Sequence, residues 1–156
     1  MTGLALLARV CLVILFPFSG LDKIVHWNTA MKQAASSPLG GARAMLVAGI
    51  VIELSMPACI VFGWHPAIAA LVLAVFCVAT AILFHPFWNF PGFWSGTSPE
   101  GAAHFWDFLK NFGLVGGLLL VVMATTGTAP GAHAAHGVAS PSHAPVAARR
   151  NMDRAP

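Results

Sequence analysis

Four long apolar segments alternate with shorter polar stretches along the chain. They cover residues 4–21, 42–62, 66–84 and 105–124. Each is close to the roughly 20 residues that an α-helix needs to cross the hydrocarbon core of a bilayer. The pattern therefore predicts an all-α fold, a four-transmembrane-helix bundle.

The connections between these segments differ in length. Only residues 63–65 join the second and third segments, and Pro66 opens the next helix, which predicts a tight hairpin at one membrane face. The other two connections are longer and fall on the opposite face. The first segment carries Arg9 and lacks both a basic start and a small-residue cleavage pattern, so we expect it to stay in the protein as a helix.

The composition changes after residue 126. Ala, Gly, Pro, Ser and His dominate from there on, without apolar periodicity, which is typical of a segment that cannot bury enough surface to fold. We expect a membrane domain at 1–126 and a disordered tail at 127–156. His133, His136 and His143 lie in that tail without the spacing of a metal site, so no metal is expected.

The overall composition agrees with a protein surrounded by lipid. Hydrophobic residues make up 58% of the chain, charged residues only 8%, and the mean hydropathy is +0.78; soluble domains carry roughly 25% charged residues. No dense basic face suggests nucleic-acid binding. The sequence shows no nucleotide-binding, zinc-protease or serine-hydrolase motif and no signature of a flavin, haem or iron–sulfur cluster.

Glu53 is a carboxylate near the middle of the second segment. Such a residue costs roughly 2.5–3.5 kcal/mol at the centre of a spanning helix, so it usually faces other helices and often marks a pathway. Arg9, with its long stem, is our first choice of ion-pair partner, and Lys110 is the competitor. Pro57 removes the helical hydrogen bond to the Glu53 carbonyl and predicts a kink.

A second polar group forms when the segments thread antiparallel. The end of the first helix, the end of the third and the start of the fourth then meet at one membrane level, with these residues: Asp22, Lys23, His85, His104, Asp107, Lys110 and Asn111. His104, Asp107 and Asn111 recur at i, i+3 and i+7, so they predict a polar stripe facing the bundle interior.

Two further patterns accompany this group. The connection before the fourth helix is rich in rings, Trp88 among them, as in an aromatic belt at the membrane interface. Gly113 and Gly117 form a GxxxG pair, which allows another helix to pack closely, within the bundle or between subunits.

Together these residues resemble the DoxX family of small four-helix membrane proteins. The resemblance runs from about residue 4 to 122 and depends on Arg9, the run FSGLDK at 18–23, Glu53-Leu54, Phe84-His85, Lys110-Asn111 and Gly116-Gly117-Leu118. Where family members commonly have a Gly-rich stretch after the Glu, this chain has Ser55, Met56 and Pro57.

The resemblance implies a multi-pass protein of the bacterial cytoplasmic (inner) membrane. Some members are similar to subunits of thiosulfate:quinone oxidoreductases or belong to complexes that handle oxidative stress. Family membership alone transfers no reaction, so whether the chain is an enzyme stays open at this stage.

The first hypothesis is a quinone-linked redox subunit with a redox partner subunit or a second copy of itself. Glu53, Asp107, His85 and His104 would handle protons, and quinone is the candidate substrate. The quinone-binding side chains would be Lys110, Asn111, Lys23 and Trp88.

Two other hypotheses use the same residues differently. In a non-catalytic accessory subunit that anchors a larger redox complex, the ion pairs only fix helix register, and Gly113 and Gly117 provide the docking face. In a small-solute or ion carrier, Glu53 would bind the cargo, although four helices without an inverted repeat are few for alternating access.

Overall fold

The computed structural model describes residues 2–127, and this part of the chain is helical with no strand. Four of its helical segments are long and apolar enough to cross a membrane, which confirms the predicted all-α membrane fold. The α-helices are α1 (Gly3–Val13), α2 (Leu15–Val25), α3 (Trp27–Ala35), α4 (Ala42–Phe62), α5 (Pro66–Phe84) and α6 (Pro99–Thr126). The predicted tail falls outside the described residues, apart from Gly127.

The first span, Gly3–Val25, is built from α1 and α2 with a short interruption at Ile14. Pro17 lies in the first turn of α2 and has no amide hydrogen to donate to the Val13 carbonyl, which accounts for the weakened helix at this point. By contrast, α4 continues through Pro57 as one helix of 21 residues.

The hairpin between α4 and α5 occurs where the sequence predicts it. Gly63 ends α4 with φ at 78°, a left-handed conformation that glycine adopts without steric cost. The Trp64 amide donates to the Cys59 carbonyl, and Pro66 begins α5. This end of the bundle is called the hairpin end below, and the opposite end is called the loop end.

The short helix α3 was not predicted from the sequence. Ala30 and Ala34 are one helical turn apart and are buried against Leu46 and Ile50 near the start of α4. The buried side chains of α3 are therefore small, with Trp27 and Met31 packed beside them, and α3 contains no long hydrophobic run that would reveal it in the sequence. By packing on α4, α3 positions the end of α2 at the loop end.

The apolar core lies toward the hairpin end. Val13, Phe16, Ile60, Leu73 and Leu118 are buried together there. α6 packs mainly on α5 and, through a smaller contact, on α1, whereas α2 packs on α4 and α3. The first span therefore contacts α6 at the hairpin end but not substantially at the loop end, where the polar residues lie.

Candidate functional site

Glu53 is buried, with 4% of its surface exposed, and its carboxylate pairs with Lys23. The Lys23 ammonium lies 2.7 and 2.8 Å from the two carboxylate oxygens. The Ser19 hydroxyl donates to Oε1 at 3.0 Å and accepts a hydrogen bond from Lys23 at 2.6 Å. Two residues on adjacent turns of α2 therefore bind the Glu53 carboxylate, and Lys23 balances its negative charge.

The predicted ion pair between Arg9 and Glu53 is wrong. Arg9 donates from Nη1 to the Ile60 carbonyl at 3.1 Å. Because the first span and α4 are antiparallel, Arg9 lies level with Ile60, and Glu53 lies two turns further along α4, about 10 Å away at 1.5 Å per residue. Lys23 and Ser19 are therefore the residues that reach the Glu53 carboxylate, while Lys110, the competing candidate, pairs with Asp107.

Gly20 allows α2 to come close enough for this pairing. A Cβ atom added at Gly20 would lie 3.2 Å from Leu54 Cδ2 and 3.4 Å from Glu53 Cβ. A larger side chain would push α2 away from α4 and move Ser19 and Lys23 out of reach of the carboxylate. The glycine in the FSGLDK run is therefore part of the site.

A second polar cluster joins the end of α5 to the start of α6. The Nδ1 atoms of His85 and His104 lie 3.3 Å apart, and His85 Nδ1 lies 3.7 Å from Asp107 Oδ2. Lys110 Nζ pairs with Asp107 Oδ1 at 2.7 Å, and the Asn111 amide donates to the Asp107 carbonyl at 2.9 Å. The predicted stripe of α6 thus meets a histidine from α5.

One cavity of about 630 Å³ is lined by both clusters. Small-molecule sites in proteins commonly have roughly 300–1,000 Å³. Its polar lining comes from two groups, called below the α2 wall (Ser19, Asp22, Lys23, His26 and Glu53) and the α6 wall (His85, Asp107, Lys110 and Asn111). Apolar residues also line the cavity, among them Leu15, Phe16, Ile52, Phe76, Leu83 and Leu114.

The two walls differ in their capacity to bind a further group. Lys23 already donates to Ser19 and to both oxygens of Glu53, so each of its three ammonium protons has an acceptor. Lys110 pairs only with Asp107 among the described residues, and its side chain is 68% exposed. The α6 wall therefore carries the available donors.

His104 occupies a different position from the other polar residues of α6. It contacts His85, but it does not line the cavity. Phe90 stacks against its ring, with centroids 4.7 Å apart and planes inclined by 25°. His104 therefore reaches the cavity only through His85.

Trp88 does not line the cavity, contrary to its predicted role as a quinone-binding residue. It packs edge-on against Phe87 and Phe108, because the rings of the connection gather around Phe87 on the outside of α5 and α6. The cavity has rings of its own, from Phe16, Phe76 and Phe84. The sequence pattern does not single out these three rings, because aromatic residues within spans resemble ordinary core positions.

The two glycines of the GxxxG pair have different surroundings. A Cβ atom on Gly117 would lie 2.6 Å from Leu12 Cδ1, so this glycine lets α1 pack closely on α6. Gly113 has no atom within 4 Å of such a Cβ. Only Gly117 serves packing within the described part of the bundle.

Metal ligands do not gather in the described region. Within residues 2–127, no three His, Cys, Asp or Glu side chains are arranged to hold a metal ion. The tail histidines at 133, 136 and 143, for which the sequence predicts no metal site, lie outside the described residues.

Comparison with known proteins gives two matches and one negative result. The sequence model of the DoxX family matches residues 4–86. The inner membrane protein YphA of Escherichia coli (strain K12) is 30% identical over 131 residues, which is 83% of this chain and 85% of that protein. No solved structure matches.

Proposed function

We propose that this chain, which belongs to the DoxX family, is the quinone-binding subunit of a redox system in the bacterial inner membrane. Its four spanning helices make it a multi-pass integral membrane protein, and its E. coli relative is described as an inner membrane protein. The observation that carries the proposal is that one cavity is lined by two polar clusters and by apolar residues.

A quinone headgroup needs three things from a protein. Its flat ring needs an apolar slot, its two carbonyl oxygens on opposite sides need hydrogen-bond donors, and its reduction to quinol takes up two electrons and two protons. Phe16, Ile52 and Phe76 provide apolar lining. The polar walls on α2 with α4 and on α5 with α6 provide donors from two sides.

The α6 wall supplies donors for the first carbonyl oxygen. The Lys110 ammonium has two protons beyond the one that bonds Asp107, and the Asn111 amide has one beyond its bond to the Asp107 carbonyl. A charged donor makes a stronger hydrogen bond than a neutral one. Lys110 is therefore the main anchor of the ring in this proposal.

The α2 wall faces the second carbonyl oxygen. About a quarter of the Lys23 side chain is exposed, and it lines the cavity. A bound carbonyl oxygen can replace Ser19 as one of the three acceptors of Lys23 while the ion pair with Glu53 is kept. Glu53 then lies next to the oxygen that gains or loses a proton.

Protons for the other oxygen have a short route through α5 and α6. His104 Nδ1 and His85 Nδ1 are within hydrogen-bond distance, and His85 lies between His104 and Asp107. A proton passed from His104 to His85 arrives beside Asp107 at the cavity, where Lys110 and Asn111 hold the ligand. The two electrons come from a separate reductant, a reduced sulfur compound or a redox partner subunit.

The experiment that tests this proposal measures quinone on the purified protein. The protein is isolated in mild detergent from quinone-containing membranes, and bound quinone is quantified by mass spectrometry. Lys110→Ala should lower retained quinone by at least roughly tenfold, since a charged hydrogen bond contributes about 1.5–3 kcal/mol. Lys32→Ala is the matched control, because Lys32 is exposed on α3 and does not line the cavity.

Asp107→Asn should keep most of the bound quinone and lower turnover, because Asn keeps the shape and loses the charge. Glu100→Gln, at the exposed start of α6 outside the cavity, is its control. If the unmodified protein neither retains quinone nor binds added quinone, the cavity does not have this function.

Gly113 supports a second candidate function, an accessory subunit that anchors a larger complex. This glycine lies on an exposed part of α6 where no described residue packs. Gly113→Leu should then release a stoichiometric partner chain while leaving quinone retention unchanged. A protein that carries a partner but no quinone would favour this function over the first.

A further inference from the structure

The first span packs on different helices in its two halves. At the hairpin end, Leu12 of α1 lies against Gly117 of α6, and this contact closes the bundle. At the loop end, α2 packs on α4 and α3 and has no substantial contact with α6. The described part of the bundle therefore has a gap between α2 and α6. The gap begins on the loop-end side of the contact between Leu12 and Gly117.

Leu15 and Leu114 lie at the edge of this gap that is nearer the hairpin end. Leu15 follows Leu12 by about one helical turn, and Leu114 precedes Gly117 by about one turn. Both line the cavity, and 55% of the Leu15 surface is exposed. Both also lie within spans, so the gap at this level faces hydrocarbon rather than water.

The polar donors lie further toward the loop end along the same helices. Lys110 precedes Leu114 by four residues, about 6 Å along α6, and Lys23 follows Leu15 by eight residues, about 12 Å along the span. The cavity thus has a polar part near the loop end that leads to an apolar opening toward the lipid. A ligand with a polar ring and a long hydrocarbon tail has this same division.

We propose that the gap between α2 and α6 is a lateral portal for a tailed quinone: the ring binds in the cavity, and the isoprenoid tail leaves into the bilayer between Leu15 and Leu114. The inference rests on the proposed function. A long tail cannot fit with the ring inside about 630 Å³, and burying it between apolar side chains and lipid keeps it out of water. Specificity for tailed quinones then comes from Leu15 and Leu114, and ring binding comes from the polar walls.

The test compares two ligands with the same ring, a membrane quinone with a long isoprenoid tail and a tail-less analogue. Binding of each is measured on the full chain in detergent. Leu15→Trp and Leu114→Trp each narrow the gap. Leu71→Trp is the control, because Leu71 is about half exposed on α5 and does not line the cavity.

The portal predicts that both gap variants lose at least roughly tenfold in affinity for the tailed quinone, as expected when several buried methylene groups are displaced. Because both side chains also line the cavity, the tail-less analogue can lose some affinity, but clearly less than the tailed quinone, since the donors that hold its ring lie further toward the loop end. Retained binding of the analogue also shows that the variants are folded. Leu71→Trp should bind both ligands normally.

Other results overturn the portal. Equal binding of the tailed quinone by both gap variants would show that the tail leaves elsewhere. Loss of both ligands together with a change in oligomeric mass would show that a second copy fills the gap. If the unmodified protein binds neither ligand, the proposed function itself fails, and this outcome is distinct from failure of the portal alone.

Discussion

Lys23 Nζ lies 2.7 and 2.8 Å from the two carboxylate oxygens of Glu53, and this pair joins the loop end of the first span to the middle of α4. Glu53 is almost fully buried, while Lys23 extends into the cavity. The pair therefore has a structural role in helix packing and a position from which it contacts a ligand.

Removing one member of the pair should destabilise the protein. Lys23→Met leaves the Glu53 carboxylate buried without its cation, and breaking a buried pair in this way costs about 3–5 kcal/mol. Thermal unfolding in detergent should show a clearly lower midpoint for Lys23→Met, and Lys32→Met at the exposed surface should show almost none of this effect. The double variant Lys23→Met with Glu53→Met should regain much of the lost stability, since it buries no charge. If the double variant is destabilised by the sum of the effects of the two single substitutions, the two residues do not pair directly.

Gly20 and Gly113 should respond in opposite ways to the same substitution. Gly20→Leu forces a side chain against Leu54 and Glu53, and overpacking of this kind costs about 1–3 kcal/mol. Gly113→Leu meets open space and gains helix propensity, so its unfolding midpoint should be unchanged or higher. Unfolding of both variants in the same detergent checks this, and equal destabilisation by the two substitutions would show that the close approach at Gly20 is not needed.

His104 should affect turnover without affecting binding. It touches the cavity only through His85, so His104→Phe removes the proton donor and leaves the ligand contacts in place. Loss of a general acid or base commonly lowers rates by about 10²–10⁴-fold, and quinone turnover with a chemical reductant should fall within that range. His65→Asn at the hairpin end is the control, because Asn tolerates the left-handed backbone of His65. Normal turnover in His104→Phe would exclude this proton route.

Phe76 rather than Trp88, the residue that the sequence suggests, should contribute to quinone binding. Trp88 packs outside the cavity, so Trp88→Leu should retain quinone normally. Phe76 lines the cavity, so Phe76→Trp should reduce its free volume and weaken binding of the tail-less analogue by roughly tenfold. Binding measured on the two variants side by side decides this, and weaker binding in Trp88→Leu alone would place the ring among the aromatic residues of the connection.

Much of the fold follows from the sequence because spanning helices are long. A segment that must bury about 20 consecutive residues in hydrocarbon has few alternatives to helix, and the four predicted segments correspond to the four spans. The boundaries are less well predicted, since α6 begins at Pro99 rather than at 105. α3 was missed because its buried face contains only Ala30 and Ala34 with two flanking side chains, Trp27 and Met31.

The polar cluster around Asp107 was also predictable in outline. Antiparallel threading with short and long connections places the end of α5 and the start of α6 at one level, and His85, His104, Asp107 and Lys110 do meet there. Helical spacing placed Asp107 and Asn111 on one face. It did not separate His104 from the cavity, because the ring of Phe90 that covers His104 comes from a connection without periodicity.

The sequence by itself determined that the chain is a four-span membrane bundle with a buried carboxylate and a polar group at one end, because hydrophobic length and residue type are local properties. Only the tertiary structure decided that Lys23 rather than Arg9 pairs with Glu53, and that both clusters line one cavity. These depend on the register between helices, which is set by side-chain volume at contacts such as Gly20 with Leu54 and Leu12 with Gly117. If the first span were shifted by two turns along α4, apolar residues would still face each other, but Glu53 would meet different polar side chains.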